Sequence, residues 1–153
     1  MGSKIITDTK VIKYIIDKCD VCYVAMVDQN NMPYVLPFNF GYDGDFIYLH
    51  SATVGKKIDI LRNNNNVCIT FSTDHQLFNR NEEVACSYGM KFRSVVAFGK
   101  VKFITDNDKK IEVLNKVMGK YTNRIFDFNA PAVNNVATFI VEIESVTAKE
   151  LGY

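Results

Sequence analysis

No run of eighteen apolar residues occurs anywhere in the 153-residue chain, so the sequence offers no membrane-spanning helix. Nor is there a surplus of charge. Eighteen basic residues face seventeen acidic ones, for a formal net charge of +1, and no global field points to a nucleic acid or a membrane surface. Partners must be argued from local sites. The GxxxxGK[ST] spacing of a P-loop is missing, so a single phosphate ester suits the chain better than a nucleoside triphosphate with magnesium. Neither paired carboxylates nor a Ser-His-Asp arrangement is visible, which leaves no self-contained hydrolytic machinery. The N-terminal MGSKIITDTK lacks the apolar stretch of a signal peptide, and the expected address is the cytoplasm. Four cysteines are present, and Cys19 and Cys22 in CDVC have the spacing of a zinc or redox pair. No second CxxC and no HxxxH completes four ligands, and Cys22 falls at an apolar strand position where a thiol acts as a small hydrophobe, so no metal is expected.

What is there reads as one domain over 1–153, long enough to bury a core. Val11, Ile12, Ile15, Ile16 and Cys19 recur at helical spacing and predict an amphipathic helix over 8–19. VCYVAMV (21–27) and PYVLPFNF (33–40) read as two strands of a hairpin joined by DQNNM. Pro37 has no N–H for a ladder and places the second strand at an edge or a bulge. YDGD (42–45) is a tight turn, FIYLH the third strand, and 55–63 a short helix. Strands follow over 67–72 and 91–104, with Gly99 marking a bulge or bend and 73–90 showing no clear period. TDND opens a second amphipathic helix over 106–120, 122–135 reads as loop, and 136–150 as a final alternating strand. Tight turns between successive strands argue antiparallel pairing, and six such strands close into a barrel with helices packed outside. The class is mainly β (α+β).

Three stretches could carry chemistry. At the end of the third strand His50, Ser51, Ala52 and Thr53 lead through Gly55 to Lys56 and Lys57. Hydroxyls, an imidazole, free N–H groups and two ammonium groups then meet within one turn, as a phosphate ester requires. Without an anion, two lysines at the positive end of a helix are unfavourable. In the second strand, Pro37 and Asn39 share one face, where the Asn39 amide and the free backbone around Phe38 could read the polar edge of a heterocycle. In KFRSV, Lys91, Arg93 and Val95 share a face, and Arg93 suits a phosphate or a ring. A solvated basic helix start and a solvated basic strand are the plain alternatives.

The ordered series VCYVAMVDQNNMPYVLPFNFGYDGDFIYLHSATVGKKIDIL, VCITFSTD, CSYGMKFRSVVAFGKVKFI and VEIESVTAKELGY resembles the FMN-binding split-barrel superfamily related to pyridoxamine 5′-phosphate oxidase. Within it the 5-nitroimidazole resistance (Nim-like) branch is the nearest match. The resemblance implies a six-stranded antiparallel split β-barrel with peripheral helices, acting as a homodimer with FMN at the subunit interface. It implies His50, Ser51, Ala52, Lys56 and Lys57 at the FMN phosphate, and Pro37, Phe38 and Asn39 beside the isoalloxazine. Met90, Lys91, Arg93 and Ser94 contribute further contacts, with the partner subunit as one source. His50 is the candidate catalytic residue near substrate. Related barrels also accept haem or a deazaflavin. The chain has no tryptophan and ends at LGY, without the C-terminal arginine and tryptophan residues of true pyridoxamine phosphate oxidases, which argues against that substrate.

Two functions from different classes follow. One is an FMN-dependent oxidoreductase passing electrons to a small-molecule acceptor such as a nitroimidazole or nitroaromatic, reloaded by NADH, NADPH or another protein. The other is a non-catalytic flavin-binding module for storage, sensing or regulation. A barrel binding single-stranded nucleic acid through Tyr23, Tyr34, Phe38 and Phe40 is disfavoured by the near-neutral charge.

Overall fold

The computed structural model describes residues 2–153. Asp8 opens α1 (Thr9–Lys18) by accepting a hydrogen bond from the Lys10 N–H at 2.8 Å, and Ile12, Ile15 and Ile16 form its buried stripe. The first hairpin joins β2 (Cys22–Val27) to β3 (Pro33–Phe38). In its turn the Asp28 carboxylate accepts from the N–H groups of Asn30 and Met32, and Asn31 takes a left-handed φ of 59°. Asp43 organises the next turn in the same way, between β4 (Gly41–Tyr42) and β5 (Phe46–Ala52). The remaining elements are α2 (Lys56–Asn63), β6 (Asn66–Phe78), a 3-10 turn at Ala85–Ser87, β7 (Gly89–Ile104), α3 (Asn107–Thr122), α4 (Ala130–Asn134) and β8 (Val136–Leu151).

All pairings are antiparallel and run in the order β3-β2-β6-β7-β8-β5-β4. The two ends of that path, β3 and β4, are consecutive in the chain and separated only by Asn39 and Phe40, so the sheet curls until its edges meet. The seam is held from outside by α3. The Tyr121 hydroxyl accepts from the Phe40 N–H and donates to the Asp20 carbonyl, while the Lys120 ammonium donates to the Asp17 carbonyl and lies 4.5 Å from the Phe40 ring centroid. Inside, Phe40 packs edge-on against Phe71 at 5.0 Å and Phe38 against Phe139 at 6.0 Å.

This is the expected antiparallel barrel with peripheral helices, and β3 is an edge strand as its proline requires. The strand count differs: the described residues form eight strands rather than six. The extra ones are β1 (Ser3–Ile6), on β8, and β4. Only Ile6 of β1 is buried, so it carries no alternation to read, and β4 is two residues at the edge of a turn. The unreadable 73–90 is strand at both its ends, 73–78 and 89–90, because β6 and β7 run on beyond the core as a largely exposed ribbon with a register shift between Thr73 and Gln76. Gly99 does mark a bulge: the β7–β8 register shifts there, and a Cβ would sit 2.2 Å from the Glu142 carbonyl oxygen. Within the expected loop 122–135, α4 is a short helix capped by Asn129.

Candidate functional site

At the β5–α2 junction the strand is still paired at Ala52, and the chain then turns through Gly55, whose φ of 121° favours glycine. Gly55 supplies no side chain to cap the helix. The first turn of α2 therefore presents its N–H groups outward, flanked by Lys56, exposed, and Lys57, half-buried. Neither lysine pairs with a carboxylate among the described residues. The Lys56 ammonium instead lies 4.8 Å from the centroid of the Tyr34 ring. That contact ties the helix start to β3. Tyr34 is not among the expected flavin-site residues, only among the rings considered for nucleic acid; its signal in the sequence is its alternation with Leu36 and Phe38.

The edge strand presents what the alternation implied. Phe38 and Phe40 are buried, while Pro37 and Asn39 are exposed. Phe38 thus offers its backbone rather than its ring, and two of the four aromatic rings considered for stacking on bases are inside the barrel. Phe38 touches Phe139, the cross-strand partner of Leu49, so the accessible edge of β3 and the end of β5 belong to the same end of the sheet.

Along β5, Ile47 and Leu49 face the core and Tyr48 and His50 face outward, where α3 lies with the Lys116 ammonium 5.6 Å from the Tyr48 ring centroid. His50 therefore points to the other side of the strand from Ser51. Its Nδ1 is buried with no hydrogen-bond partner, and burial pushes its pKa below the ordinary 6.5. The Ser51 hydroxyl donates to the Ala52 carbonyl at 2.8 Å.

Met90, Lys91, Arg93 and Ser94 lie elsewhere. His50 pairs with Thr138 on β8, whereas Arg93 pairs with Glu150, twelve residues further along that strand and on the order of 40 Å of strand path away. Within one chain they do not join the junction. Arg93 is also engaged: its guanidinium donates to Asp74 at 2.7 Å and to Glu150 at 3.3 Å and stacks 4.1 Å from the Tyr153 ring centroid. Lys18 closes the network on Asp74, whose pKa is lowered by the hydrogen bond from Lys18 and, with it, that from Arg93. Cys19 and Cys22 are buried in the core; the Cys19 thiol donates to the Ile15 carbonyl, and burial pushes the Cys22 thiol up to about 12.

Residues 8–150 match the family model described as pyridoxamine 5′-phosphate oxidase. No curated protein matches the chain. Among solved structures, a candidate 5-nitroimidazole antibiotic resistance protein from Bacteroides thetaiotaomicron is 42% identical, with a TM-score of 0.86 over 98% of this chain and 89% of that one. The flavocytochrome Anf3 from Azotobacter vinelandii is 24% identical, with a TM-score of 0.82 over 97% of this chain and 70% of its own. An FAD- and haem-binding protein from Mycobacterium smegmatis is 18% identical, with a TM-score of 0.85 over 98% and 74%. The last two show shared fold.

Proposed function

Because the chain belongs to the pyridoxamine 5′-phosphate oxidase family, we propose that it is a cytoplasmic FMN-dependent oxidoreductase acting on a small oxidised compound such as a nitroimidazole or nitroaromatic. The observation that carries the reading is the pair of unpaired ammonium groups at the side-chain-free start of α2, next to the open edge of β3. A phosphate dianion there is bound by the helix N–H groups and both lysines, and relieves their repulsion with the helix dipole. Tyr34 holds Lys56 toward the edge strand, and Asn39 and the backbone of Phe38 read the polar rim of a planar ring system. Held by these residues, a flavin would supply the redox chemistry between an electron donor (NADH, NADPH or a protein) and the acceptor. His50 keeps a neutral imidazole at the same end, available to hold or accept a proton near substrate.

The site needs a second copy of the chain. Met90, Lys91 and Ser94 are too far along the sheet to reach the junction of their own subunit, so a partner would bring them. The outer face offers the surface: Val35, Ala25, Cys68 and Phe98 form a cross-strand row over β3, β2, β6 and β7, with Val35 53% and Phe98 51% exposed and Tyr23 beside them. A homodimer through this face covers the row and places two flavins at its margins. The relatives' names favour a flavin in general, since those of two fold relatives name FAD or a flavocytochrome; the single compact phosphate cradle favours FMN over a dinucleotide.

The test is the visible spectrum of the purified protein before and after adding FMN and removing excess by gel filtration, with released pigment identified by mass. One FMN per chain in a dimer-sized peak, reduced by NADH or NADPH and reoxidised by a nitroimidazole, is the expected result. Retained FMN that nicotinamides reduce only slowly, with no acceptor found, would make the protein a flavin carrier. A colourless chain that retains no FMN would overturn the reading.

A further inference from the structure

At the start of α3, a lysine with a buried stem has no ion-pair partner among the described residues. Lys110 lies on the stripe of α3 otherwise made by Val113, Leu114 and Val117, and only 9% of it is exposed. Among the described residues no carboxylate comes within ion-pair distance and no acceptor takes a hydrogen bond from its ammonium. The buried stem leads to an ammonium with no carboxylate beside it, and an anion supplied from outside can take that place.

The surroundings fit such an anion. Lys110 lines a concavity of about 350 Å³ where the last turn of α2, the end of β7 and the starts of α3 and β8 converge. Arg62 lines the same space, its guanidinium carbon 5.9 Å from the Phe103 ring centroid, and it too has no carboxylate partner among the described residues. No acidic side chain lines the space, and the nearby Asp106 is turned to cap α3 through the Lys109 N–H. Thr53 and Thr105 add hydroxyls at the rim, and Phe103, Val136 and Ala137 give apolar wall. The space is set apart from the lysine pair: Arg62 is six residues beyond Lys56, on the order of 9 Å along the helix.

We propose that this concavity is a second anion site, which takes an oxyanion carried on a small apolar body, such as a carboxylate. Lys110 acts as the point charge, Arg62 as a planar fork braced on Phe103, and the apolar wall receives the body of the ligand. The inference does not depend on flavin binding. A small carboxylate and a free phosphate share the oxyanion chemistry, and the experiment separates them.

The full chain, with FMN added to fill the cradle if it binds, is titrated with sodium benzoate and separately with inorganic phosphate. Chloride holds the ionic strength constant, and backbone amide shifts and thermal stability are followed. Saturable binding of at least one anion is expected, with shifts at Val136, Ala137 and Thr138 and a rise in Tm. Lys110→Met should weaken that binding at least about 10-fold and Arg62→Ala several-fold, while Lys56→Ala leaves it unchanged. Tighter benzoate binding identifies an organic carboxylate, and tighter phosphate binding a free phosphate. The proposal is overturned if neither anion saturates, if the shifts fall at Gly55–Lys57 instead, or if Lys110→Met binds like the parent. Should Lys110→Met fail to fold, the shift map of the parent chain and Arg62→Ala decide.

Discussion

Both ends of the sheet carry basic side chains, and they treat that charge in opposite ways. At the end where β6 and β7 begin to leave the core, Arg93 and Lys18 converge on Asp74, Glu150 takes the other side of Arg93, and Tyr153 both stacks on the guanidinium and donates its hydroxyl to the Asp74 carbonyl. Arg93, Lys18, Asp74 and Glu150 each have a partner of opposite sign there, and Lys91 lies over the Tyr153 ring. At the end where β5 runs into α2, Lys56, Lys57, Arg62 and Lys110 have none among the described residues, and a buried imidazole nitrogen is left unbonded. Charge that is neutralised inside the molecule holds the fold, and charge left over is available to a ligand. Stability and binding should therefore separate by location.

The largest effect should come from breaking the closed end. Arg93→Met leaves Asp74 and Glu150, whose side chains are 14% and 11% exposed, facing each other's region with one fewer cation. Lys18 and Lys4 remain as partial replacements. The expected loss is about 3 kcal/mol of unfolding free energy, measured by urea denaturation, because removing one member of a semi-buried network strands the others. A loss below about 0.5 kcal/mol would mean that Arg93 is not needed by the fold and is free to serve a ligand. Lys56→Ala with Lys57→Ala should do the reverse. FMN affinity should weaken by on the order of 2 kcal/mol, from lost charge-assisted hydrogen bonds, while unfolding free energy stays within about 0.5 kcal/mol or rises. Unchanged affinity would remove the phosphate from this junction.

The contrast between the ends was only half legible in the sequence. The lysine pair could be read locally, because a glycine followed by two cations at a helix start conflicts with the helix dipole over a span of three residues. The fate of Arg93 could not, since its partners Asp74 and Glu150 are nineteen and fifty-seven positions away and meet it only through the pairing of β7 with β6 and β8. The same limit explains Lys110. Its position on the apolar stripe of α3 follows from helical spacing, but the concavity it lines is built by four elements that only the topology brings together. Strands with an alternating buried face were readable, whereas β1, the two-residue β4 and the outer half of β6 show no such alternation and were not. The direction of His50 needed α3, which decides which side of β5 is covered.

The smallest expected effect tests that buried imidazole. Burial holds the His50 pKa below 6.5, so the unfolded chain takes up a proton near pH 6.5 that the native state accepts only at lower pH. Between those values the unfolded state binds more protons, and stability falls as the pH drops. The decline begins near pH 6.5, ends below the native pKa, and cannot exceed about 1.4 kcal/mol per pH unit for a single proton. Asp74, at the closed end, has its pKa lowered from 3.8, and its contribution is lost only in more acid solution. The two ends should thus report in separate pH windows. Urea midpoints collected from pH 7.5 to 5 should show a decline that His50→Gln flattens and Asp74→Asn leaves in place. If His50→Gln keeps the full slope, the imidazole already takes its proton freely in the folded chain, and the open end is more thoroughly solvated than its orphaned nitrogen indicates.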